Sequence, residues 1–269
     1  MTEPLATAMS HRLREMLDPT SLSEAALGRV GNRLLRAHSA GGEDVYVKIG
    51  VGRTMSEIVH EAERLRWIGD RLPVPRVLAL EVTDDQAFLI ISALPGIPAH
   101  EERSVAVEDV ARSFARAMVA VHSLPVFRNP FDKVVELELE ESSRRVTEGL
   151  IDEGAFSQAV GLTPKATLEI LMNGMPTEKV VFTHGDFALP NLLLAGAEVT
   201  GIVDWSLAGV ADRHRDFMSA ELTLRRNIGQ EAIPIFYEAY GISEVDDSAI
   251  RYFWLLDQFS TFYRDPAIG

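Results

Sequence analysis

An apolar strand, a polar loop and a predicted hairpin follow one another between Val180 and Asp204, in the sequence VVFTHGDFALPNLLLAGAEVTGIVD. The two apolar runs 192–194 and 199–203 are separated by the short segment AGAE, which favours a turn between two strands. Because a hairpin brings its two ends together, the residue before the first run and the residue after the second should be neighbours. The segment thus predicts which side chains meet at the open end of the hairpin.

Oxygen ligands stand at that open end. Asn191 comes directly before the first strand of the hairpin and Asp204 directly after the second, with Asp186 on the preceding loop. Carboxylate and amide oxygens suit Mg²⁺, which shares its coordination shell with water and substrate phosphates. The order His-x-Asp-x-x-x-x-Asn, followed by an aspartate on a strand, is typical of the catalytic loop of kinases. The pattern therefore predicts a magnesium-dependent phosphotransferase.

A phosphotransferase also needs a cation for the phosphates of its nucleotide. In VYVKI (45–49) the apolar residues alternate, so Lys48 points to the opposite face of the predicted strand. Glu61 falls within the apolar stripe of the next predicted helix, where a carboxylate is costly unless it is paired. That stripe consists of Ile58, Ala62, Leu65 and Ile68. We expect Glu61 to pair with Lys48, and Glu57, nearer the edge of the stripe, is the alternative partner.

The distribution of predicted strands and helices indicates two lobes. Residues 1–94 are strand-rich with one helix, and they include the buried run FLIIS (88–92). Residues 95–269 are mainly helical and start with the long amphipathic segment VEDVARSFARAMVAVHSL. The predicted fold class is α+β, with a small β-rich N-terminal nucleotide-binding lobe, a larger helical C-terminal catalytic and substrate-binding lobe, and a cleft between them.

Charge and composition restrict the possible partners. Lys and Arg number 26 against 40 Asp and Glu, and the formal net charge of −14 argues against nucleic acid and anionic membranes as partners. A cationic small molecule fits this charge better. The chain has no cysteine, which excludes disulfides, thiolate metal sites and cysteine nucleophiles. No signal peptide or membrane-spanning run is evident, so we expect a soluble cytoplasmic protein.

Five segments together resemble the aminoglycoside phosphotransferase family over nearly the whole chain: DVYVKI, HEAERLRWIGDRLPVPRV, THGDFALPN, GIVDWSLAGVADRHRDF and YFWLLDQF. The resemblance implies a protein-kinase-like bilobal fold with a five-stranded N-terminal lobe. It implies that Asp186 is the base for the substrate hydroxyl and that Asn191 and Asp204 hold Mg²⁺. It also implies that Lys48 holds the α/β-phosphates and that Glu61 orients Lys48.

The family fold places the nucleotide base against backbone groups of the hinge, which here is Ser92, Ala93 and Leu94. Since backbone groups carry no side-chain signature, ATP and GTP both remain possible cofactors. Sequence does not distinguish a monomer from a homodimer. His184 is expected to brace its loop, and Asp212, Arg213 and Asp216 match the family but are explained equally well by helix caps and ion pairs.

The substrate side departs from the family pattern. Members that act on the 3′ hydroxyl place several carboxylates around the ammonium groups of the drug, and this chain has part of that set: Asp152, Glu153, Glu221 and Asp257. Gln258 stands where relatives carry Glu, and ten residues follow Phe259, so a C-terminal carboxylate cannot simply be carried over. The loop LGRVGN lacks the Gly-x-Gly-x-x-Gly pattern, and WSLAG follows Asp204 where relatives often have a Gly-Arg pair.

Three hypotheses about function follow. The first is a phosphotransferase that uses ATP, or GTP, with Mg²⁺ to phosphorylate a 3′ or 3″ hydroxyl of an aminoglycoside antibiotic and so confers resistance. The second is a kinase of the same fold for another hydroxylated metabolite or antibiotic. The third is a nucleotide-binding protein without turnover, which the complete set of candidate base, metal ligands and Lys–Glu pair disfavours.

Overall fold

A computed structural model describes residues 9–27, 32–127 and 129–263 of the chain. It divides into two compact units: the first is Met1–Gly96 with Thr200–Leu207, and the second is Ile97–Val199 with Ala208–Gly269. The sequence predicted one boundary after residue 94. It did not indicate that a short later segment, which carries Asp204, returns to the first unit.

An antiparallel five-stranded sheet with strand order β1-β2-β3-β5-β4 forms the body of the first unit. Its strands are β1 (Ser23–Leu27), β2 (Asn32–His38), β3 (Asp44–Val51), β4 (Val77–Val82) and β5 (Gln86–Ser92). The helices described in this unit are α1 (His11–Glu15) and α2 (Thr54–Ile68), and a 3₁₀ turn at Gly69–Arg71 follows α2. A two-sided sheet of this kind can carry a core on one face and a functional side chain on the other.

The alternation of side chains along β3 places its apolar residues on one face of the sheet and Lys48 on the other. Val45, Val47 and Ile49 are buried in a core with residues of α1 and β5, including Leu13 and Phe88. Lys48 lies between them in sequence and therefore projects from the opposite face, where α2 packs on β3 and β5. The predicted strand, its alternation and the buried run 88–91 are confirmed.

Seven helices are described in the second unit. They are α3 (Val107–His122), α4 (Val135–Thr147), α5 (Glu153–Val160), α6 (Pro164–Asn173), α7 (His214–Asn227), α8 (Ala232–Tyr240) and α9 (Asp247–Thr261). Local sequence sets their ends: α6, for example, starts with Pro164 at its first position after Thr163, whose hydroxyl accepts from Ala166 N at 3.2 Å. Helix α3 packs on α8, and α9 packs on α7 and α4.

Short strands complete the second unit. Strands β7 (Val180–Thr183) and β10 (Gly209–Asp212) pair antiparallel. Strands β6 (Ile97–Pro98), β8 (Leu192–Ala195) and β9 (Glu198–Ile202) form a sheet in the order β6-β8-β9, and β9 continues into the first unit. The hairpin predicted after Asn191 is therefore present, with its turn at Gly196, whose φ is 62°.

The α+β prediction with a strand-rich first part and a mainly helical second part is confirmed. Residues 28–31 of the LGRVGN loop and the tail from residue 264 onward lie outside the described residues. The structure therefore does not test what the sequence predicts for that loop and for the C-terminal carboxylate. Within the described part of the chain, every helix is too short or too polar to cross a lipid bilayer.

Candidate active site

A buried ion pair joins β3 to α2 in the first unit. The Nζ atom of Lys48 lies 2.7 Å from Oε1 and 2.6 Å from Oε2 of Glu61, so the ammonium binds both oxygens of one carboxylate. Glu61 is 2% exposed within the predicted apolar stripe, whose other four members are also buried. The structure thus pairs Lys48 with Glu61 rather than with Glu57, and a paired carboxylate is what burial on this face requires.

Asp204 is the second carboxylate beside Lys48. Its Oδ1 lies 3.5 Å from Nζ of Lys48, and its side chain is 50% exposed. Burial alone would lower the pKa of Lys48, but the charges of Glu61 and Asp204 outweigh it and raise that pKa above the ordinary value for lysine. The lysine is therefore protonated at neutral pH and can serve as a fixed cation for phosphate oxygens.

The backbone at Asp204 has an uncommon conformation. Among the described non-glycine residues, Asp204 is the one with positive φ, at 67°. Aspartate tolerates this left-handed region better than most residues, yet it still costs free energy. Next to it, the fully buried Trp205 donates its indole N–H to Ile202 O at 2.8 Å and anchors the segment. The end of β9 therefore turns sharply, which presents the carboxylate of Asp204 beside Lys48.

Replacing Lys48 should affect both nucleotide binding and stability. Lys48→Met keeps the aliphatic stem but leaves the Glu61 carboxylate buried without its cation, so we expect weaker ATP binding and a free energy of unfolding lower by about 1 to 3 kcal/mol. Lys48→Ala should cost more, because it also removes packing. Urea unfolding and nucleotide titration measure the two effects.

The control for this prediction is the double variant Lys48→Met with Glu61→Gln, in which no unpaired charge is buried. It should recover part of the lost stability without recovering nucleotide affinity. A single Lys48→Met variant as stable as the wild type would contradict the energetic role assigned to the pair.

In the second unit, Asp186 and Asn191 lie on one loop and are directly hydrogen-bonded. Asn191 Nδ2 donates to the backbone oxygen of Asp186 at 2.9 Å and to its carboxylate Oδ2 at 3.3 Å. Because the nitrogen is committed to two acceptors, the amide oxygen of Asn191 points elsewhere, and it has no hydrogen-bond partner among the described residues. The loop thus presents a carboxylate and an oriented amide oxygen together.

A buried carboxylate on α7 holds the start of this loop. Asp216, fully buried, accepts hydrogen bonds from the backbone amides of His184 and Gly185, both at 2.8 Å, and lies 3.1 Å from Nε2 of His122. Burial raises the pKa of Asp216, but the bonds from His122 and His184 outweigh it and hold the pKa below its usual range. Gly185 takes a φ of 85°, which lets two consecutive amides point at one carboxylate.

His184 stabilises its own loop. His184 is fully buried, and its Nδ1 accepts a hydrogen bond from the backbone amide of Asp186 at 3.3 Å. For Asp212 the sequence allowed either a structural or a chemical role. Its carboxylate accepts hydrogen bonds from Lys179 N at 2.6 Å and from His214 N at 2.7 Å. Both residues thus fix backbone near the β7–β10 pair, and neither is an exposed reactive group.

The predicted hinge residues differ in whether their backbone N–H is already hydrogen-bonded. Ser92 N donates to Arg76 O at 3.0 Å, and Ala93 N donates to Asp44 O at 3.0 Å. Leu94 has no hydrogen bond to any described residue, so its N–H remains open as a donor. A nucleotide base that reads this hinge through a backbone donor would therefore use Leu94 N–H.

The predicted substrate carboxylates occupy two different places in the second unit. Asp152 caps α5 by accepting from Ala155 N at 3.0 Å, and its own N–H donates to Phe262 O at 2.9 Å, which joins the start of α5 to the end of α9. Asp257, one turn before the end of α9, accepts from Thr261 Oγ1 at 3.1 Å, while Glu153 is exposed at the first turn of α5. These three form one acidic region around α5 and α9.

Glu221 is placed differently. One of its oxygens accepts from the hydroxyl of Tyr237 on α8 at 2.9 Å, and the other lies 3.2 Å from the guanidinium of Arg225. A substrate ammonium would share this carboxylate with those two partners, and the side chain is only 14% exposed. The sequence could not indicate this, because it shows the charge of Glu221 but not the face of α7 on which it lies.

The site is thus described in two parts. Lys48, Glu61 and Asp204 meet in the first unit, whereas Asp186 and Asn191 meet in the second. Asn191 and Asp204 belong to different units, so their expected closeness stays a prediction.

The sequence did not indicate three residues on helices that support the loop: His122, Thr223 and Tyr240. Thr223 bonds the loop directly, and Tyr240 bonds His122 at 2.9 Å.

Comparison with known proteins gives these residues a context. The profile of the phosphotransferase enzyme family matches residues 24–253. An aminoglycoside 3′-phosphotransferase of Niallia circulans is 30% identical over 250 residues, covering 92% of this chain and 95% of the relative. One of Streptomyces fradiae is 35% identical over 212 residues, covering 74% and 78%. The crystal structure of an aminoglycoside 3′-phosphotransferase of type VIII superposes with a TM-score of 0.77 at 28% identity, covering 89% and 93%.

The matched range contains both parts of the site, from Lys48 through Asp186 and Asn191 to Asp204 and Asp216. The relatives match over most of their own length as well as most of this chain. The likeness therefore extends over most of the chain rather than over one motif. The chain belongs to the phosphotransferase enzyme family, and within it to the aminoglycoside phosphotransferases that its sequence resembles.

Proposed function

We propose that the protein transfers the γ-phosphate of ATP, with Mg²⁺, to the 3′ hydroxyl of an aminoglycoside antibiotic. The observation that carries this proposal is the direct hydrogen bond between Asn191 and Asp186, which holds a candidate metal ligand and a candidate base on one loop. A phosphotransferase needs both groups close together, because the hydroxyl must approach a phosphate whose charge is already neutralised. The 3′ position is supported by the names of the relatives.

The residues fit a magnesium ion. The amide oxygen of Asn191 has no hydrogen-bond partner among the described residues, and the half-exposed carboxylate of Asp204 is a second oxygen ligand of the kind Mg²⁺ prefers. With only two protein ligands proposed, water and phosphate oxygens would complete the shell, as is usual for Mg²⁺. When bound, the ion would neutralise charge on the phosphates.

Lys48 and the hinge hold the nucleotide in this proposal. The protonated ammonium of Lys48 binds α- and β-phosphate oxygens, and Glu61 keeps it in place from a buried position on α2. Leu94 N–H donates to the base, since the amides of Ser92 and Ala93 already donate to the backbone oxygens of Arg76 and Asp44. The chain thus binds the two ends of the nucleotide through groups that do not take part in bond making.

Asp186 acts on the acceptor. Its carboxylate accepts the hydrogen of the substrate hydroxyl and orients the oxygen towards the γ-phosphorus. A bond forms between that oxygen and the phosphorus, the bond to the bridging oxygen of the β-phosphate breaks, and ADP leaves with the electron pair. The proton of the hydroxyl passes to Asp186. Asn191 keeps the carboxylate of Asp186 in position through its 3.3 Å hydrogen bond.

The acidic region around α5 and α9 supports a polycationic substrate. Asp152, Glu153 and Asp257 lie there with at least partial exposure, and the chain carries a net charge of −14. Such residues attract ammonium groups through electrostatic contacts that are sensitive to salt. Glu221 contributes less in this proposal, because Tyr237 and Arg225 already bind its carboxylate.

A matched pair of drugs tests the proposal. Expressed in a sensitive bacterial host, the protein should raise resistance to kanamycin but not to a kanamycin that lacks the 3′ hydroxyl. The Asp186→Asn variant, expressed at the same level, controls for effects of mere binding. Equal resistance to both drugs would exclude the 3′ position. No resistance to any aminoglycoside, from a folded protein that binds Mg·ATP, would favour a kinase of another hydroxylated metabolite.

A further inference from the structure

The 3₁₀ turn Leu189–Asn191 delivers the proposed metal ligand, and its backbone amides can be accounted for one by one. Asn191 N donates to Ala188 O at 2.9 Å, and Pro190 has no N–H. The remaining amide, Leu189 N, is at the first position of the turn, where no carbonyl within the turn can accept from it. The residue before it, Ala188, has no side chain that could cap it.

A threonine from α7 supplies the missing cap. Thr223 Oγ1 accepts from Leu189 N at 3.2 Å in a buried hydrogen bond, although the two residues are far apart in sequence. The same oxygen receives a second hydrogen bond, from Asn227 Nδ2 at 3.0 Å, which fixes it on the helix. Leu189 is fully buried and Thr223 is 7% exposed, so water is a poor substitute for this hydroxyl.

Helix α7 therefore holds the catalytic loop at both ends. Asp216 binds the amides of His184 and Gly185 before Asp186, and Thr223, two helical turns later, binds the amide of Leu189 before Asn191. A spacing of two turns places both side chains on the same face of the helix. The loop between these contacts is thus clamped along its length by one rigid element.

We propose that Thr223 is a positioning residue for Asn191: its hydroxyl fixes the turn that aims the amide oxygen of Asn191 at the metal. The inference rests on the proposed role of Asn191 as a magnesium ligand. Removing the hydroxyl leaves Leu189 N without an acceptor in a buried position, which favours a shift of the turn. Since Asn191 also holds Asp186, a shift of the turn disturbs the base as well.

Nucleotide binding as a function of Mg²⁺ tests this proposal without relying on turnover. With a non-hydrolysable ATP analogue, Thr223→Val should raise the Mg²⁺ concentration for half-maximal binding by about three- to tenfold, the loss expected for one buried hydrogen bond. Thr223→Ser keeps the hydroxyl and should stay close to the wild type. Turnover of Thr223→Val should fall about ten- to a hundredfold, because a small displacement of catalytic groups is costly.

Thr167→Val is the matched control, since Thr167 is also a buried helical threonine, but its hydroxyl donates to the backbone oxygen of Thr163 at the N-cap of α6. It should leave the Mg²⁺ dependence unchanged even if its melting temperature falls. Thr223→Ala also lacks the hydroxyl, and its smaller side chain cannot clash with its neighbours. It should therefore raise the Mg²⁺ concentration for half-maximal binding as Thr223→Val does, whatever its stability. If the folded Thr223→Val and Thr223→Ala variants bind with wild-type Mg²⁺ dependence, the proposal is wrong.

The Mg²⁺ dependence of nucleotide binding by the wild type distinguishes a failure of the Thr223 proposal from a failure of the proposed function. If nucleotide binding by the wild type depends on Mg²⁺ and the Thr223→Val and Thr223→Ala variants show the same dependence, only the role of Thr223 is overturned. A wild type whose nucleotide binding shows no Mg²⁺ dependence overturns the metal role of Asn191, and the role of Thr223 falls with it.

Discussion

Asp204→Ala should reduce phosphoryl transfer by about 10³-fold or more. Asp204 is the proposed charged ligand of Mg²⁺, and the charge neutralisation that a metal supplies in this chemistry is worth several kcal/mol, each 1.36 kcal/mol of which is a factor of ten in rate. Its carboxylate also lies 3.5 Å from Lys48, so the variant removes one of two charges that hold the ammonium. Steady-state kinetics with kanamycin at saturating Mg·ATP measures the loss.

A second variant separates charge from conformation at this position. Asp204 has a φ of 67°, which alanine adopts with more strain than asparagine does. Asp204→Asn should therefore keep the stability of the wild type better than Asp204→Ala while losing most of the activity. Asp70→Asn, which neutralises an exposed acid in the same unit, is the control and should leave turnover unchanged. Near-normal turnover in both Asp204 variants would refute the metal role.

Asp186→Asn should lower turnover by about 10² to 10⁴-fold, the range that general-base groups contribute, while the affinity for ATP stays near that of the wild type. The substitution keeps the shape of the side chain and an oxygen that can still accept from Asn191, but it removes the charge that receives the proton. Turnover and nucleotide titration on the same preparation measure both quantities.

The two largest effects should differ in kind. Asp204 variants should lose the Mg²⁺ dependence of nucleotide binding, whereas Asp186→Asn should retain it, because the proposed role of Asp186 is to contact the acceptor rather than the nucleotide. A drop of less than about tenfold for Asp186→Asn would mean that another group positions the hydroxyl. Equal losses of nucleotide affinity in both variants would contradict the separate roles proposed for them.

The sequence predicted those parts of the site in which a local pattern conflicts with burial. Glu61 could be found because a carboxylate within an apolar helical stripe requires a partner, and Lys48 was the cation on the free face of the preceding strand. The hairpin after Asn191 could be found because two apolar runs flank a short glycine-containing turn. In both cases the information lies within a few turns or strands of the chain.

The parts that escaped prediction depend on contacts between distant segments. The bonds from the amides of His184, Gly185 and Leu189 to side chains of α7 join residues whose proximity only the packed fold determines. The partners of Glu221 likewise follow from the packing of α7 against α8. The positive φ of Asp204 depends on its surroundings, because the tolerance of aspartate for this region does not by itself indicate where it is used.

The return of the segment Thr200–Leu207 to the first unit has the same origin. The sequence indicates a strand followed by Asp204, but the destination of that strand depends on the backbone bond of Ile202 N to Pro73 O at 2.9 Å and on the burial of Trp205. A linear division of the chain into lobes therefore missed the segment that brings Asp204 to Lys48.

The central claim is tested most directly by ³¹P NMR of the purified wild-type protein with kanamycin, ATP and Mg²⁺. We expect the γ-phosphate signal to disappear as ADP forms, with one new phosphomonoester resonance coupled to the proton at the 3′ carbon of the drug. The same mixture with the Asp186→Asn variant should show little change over the same time. Conversion of ATP to ADP and inorganic phosphate alone, or no conversion with any aminoglycoside, would contradict the account.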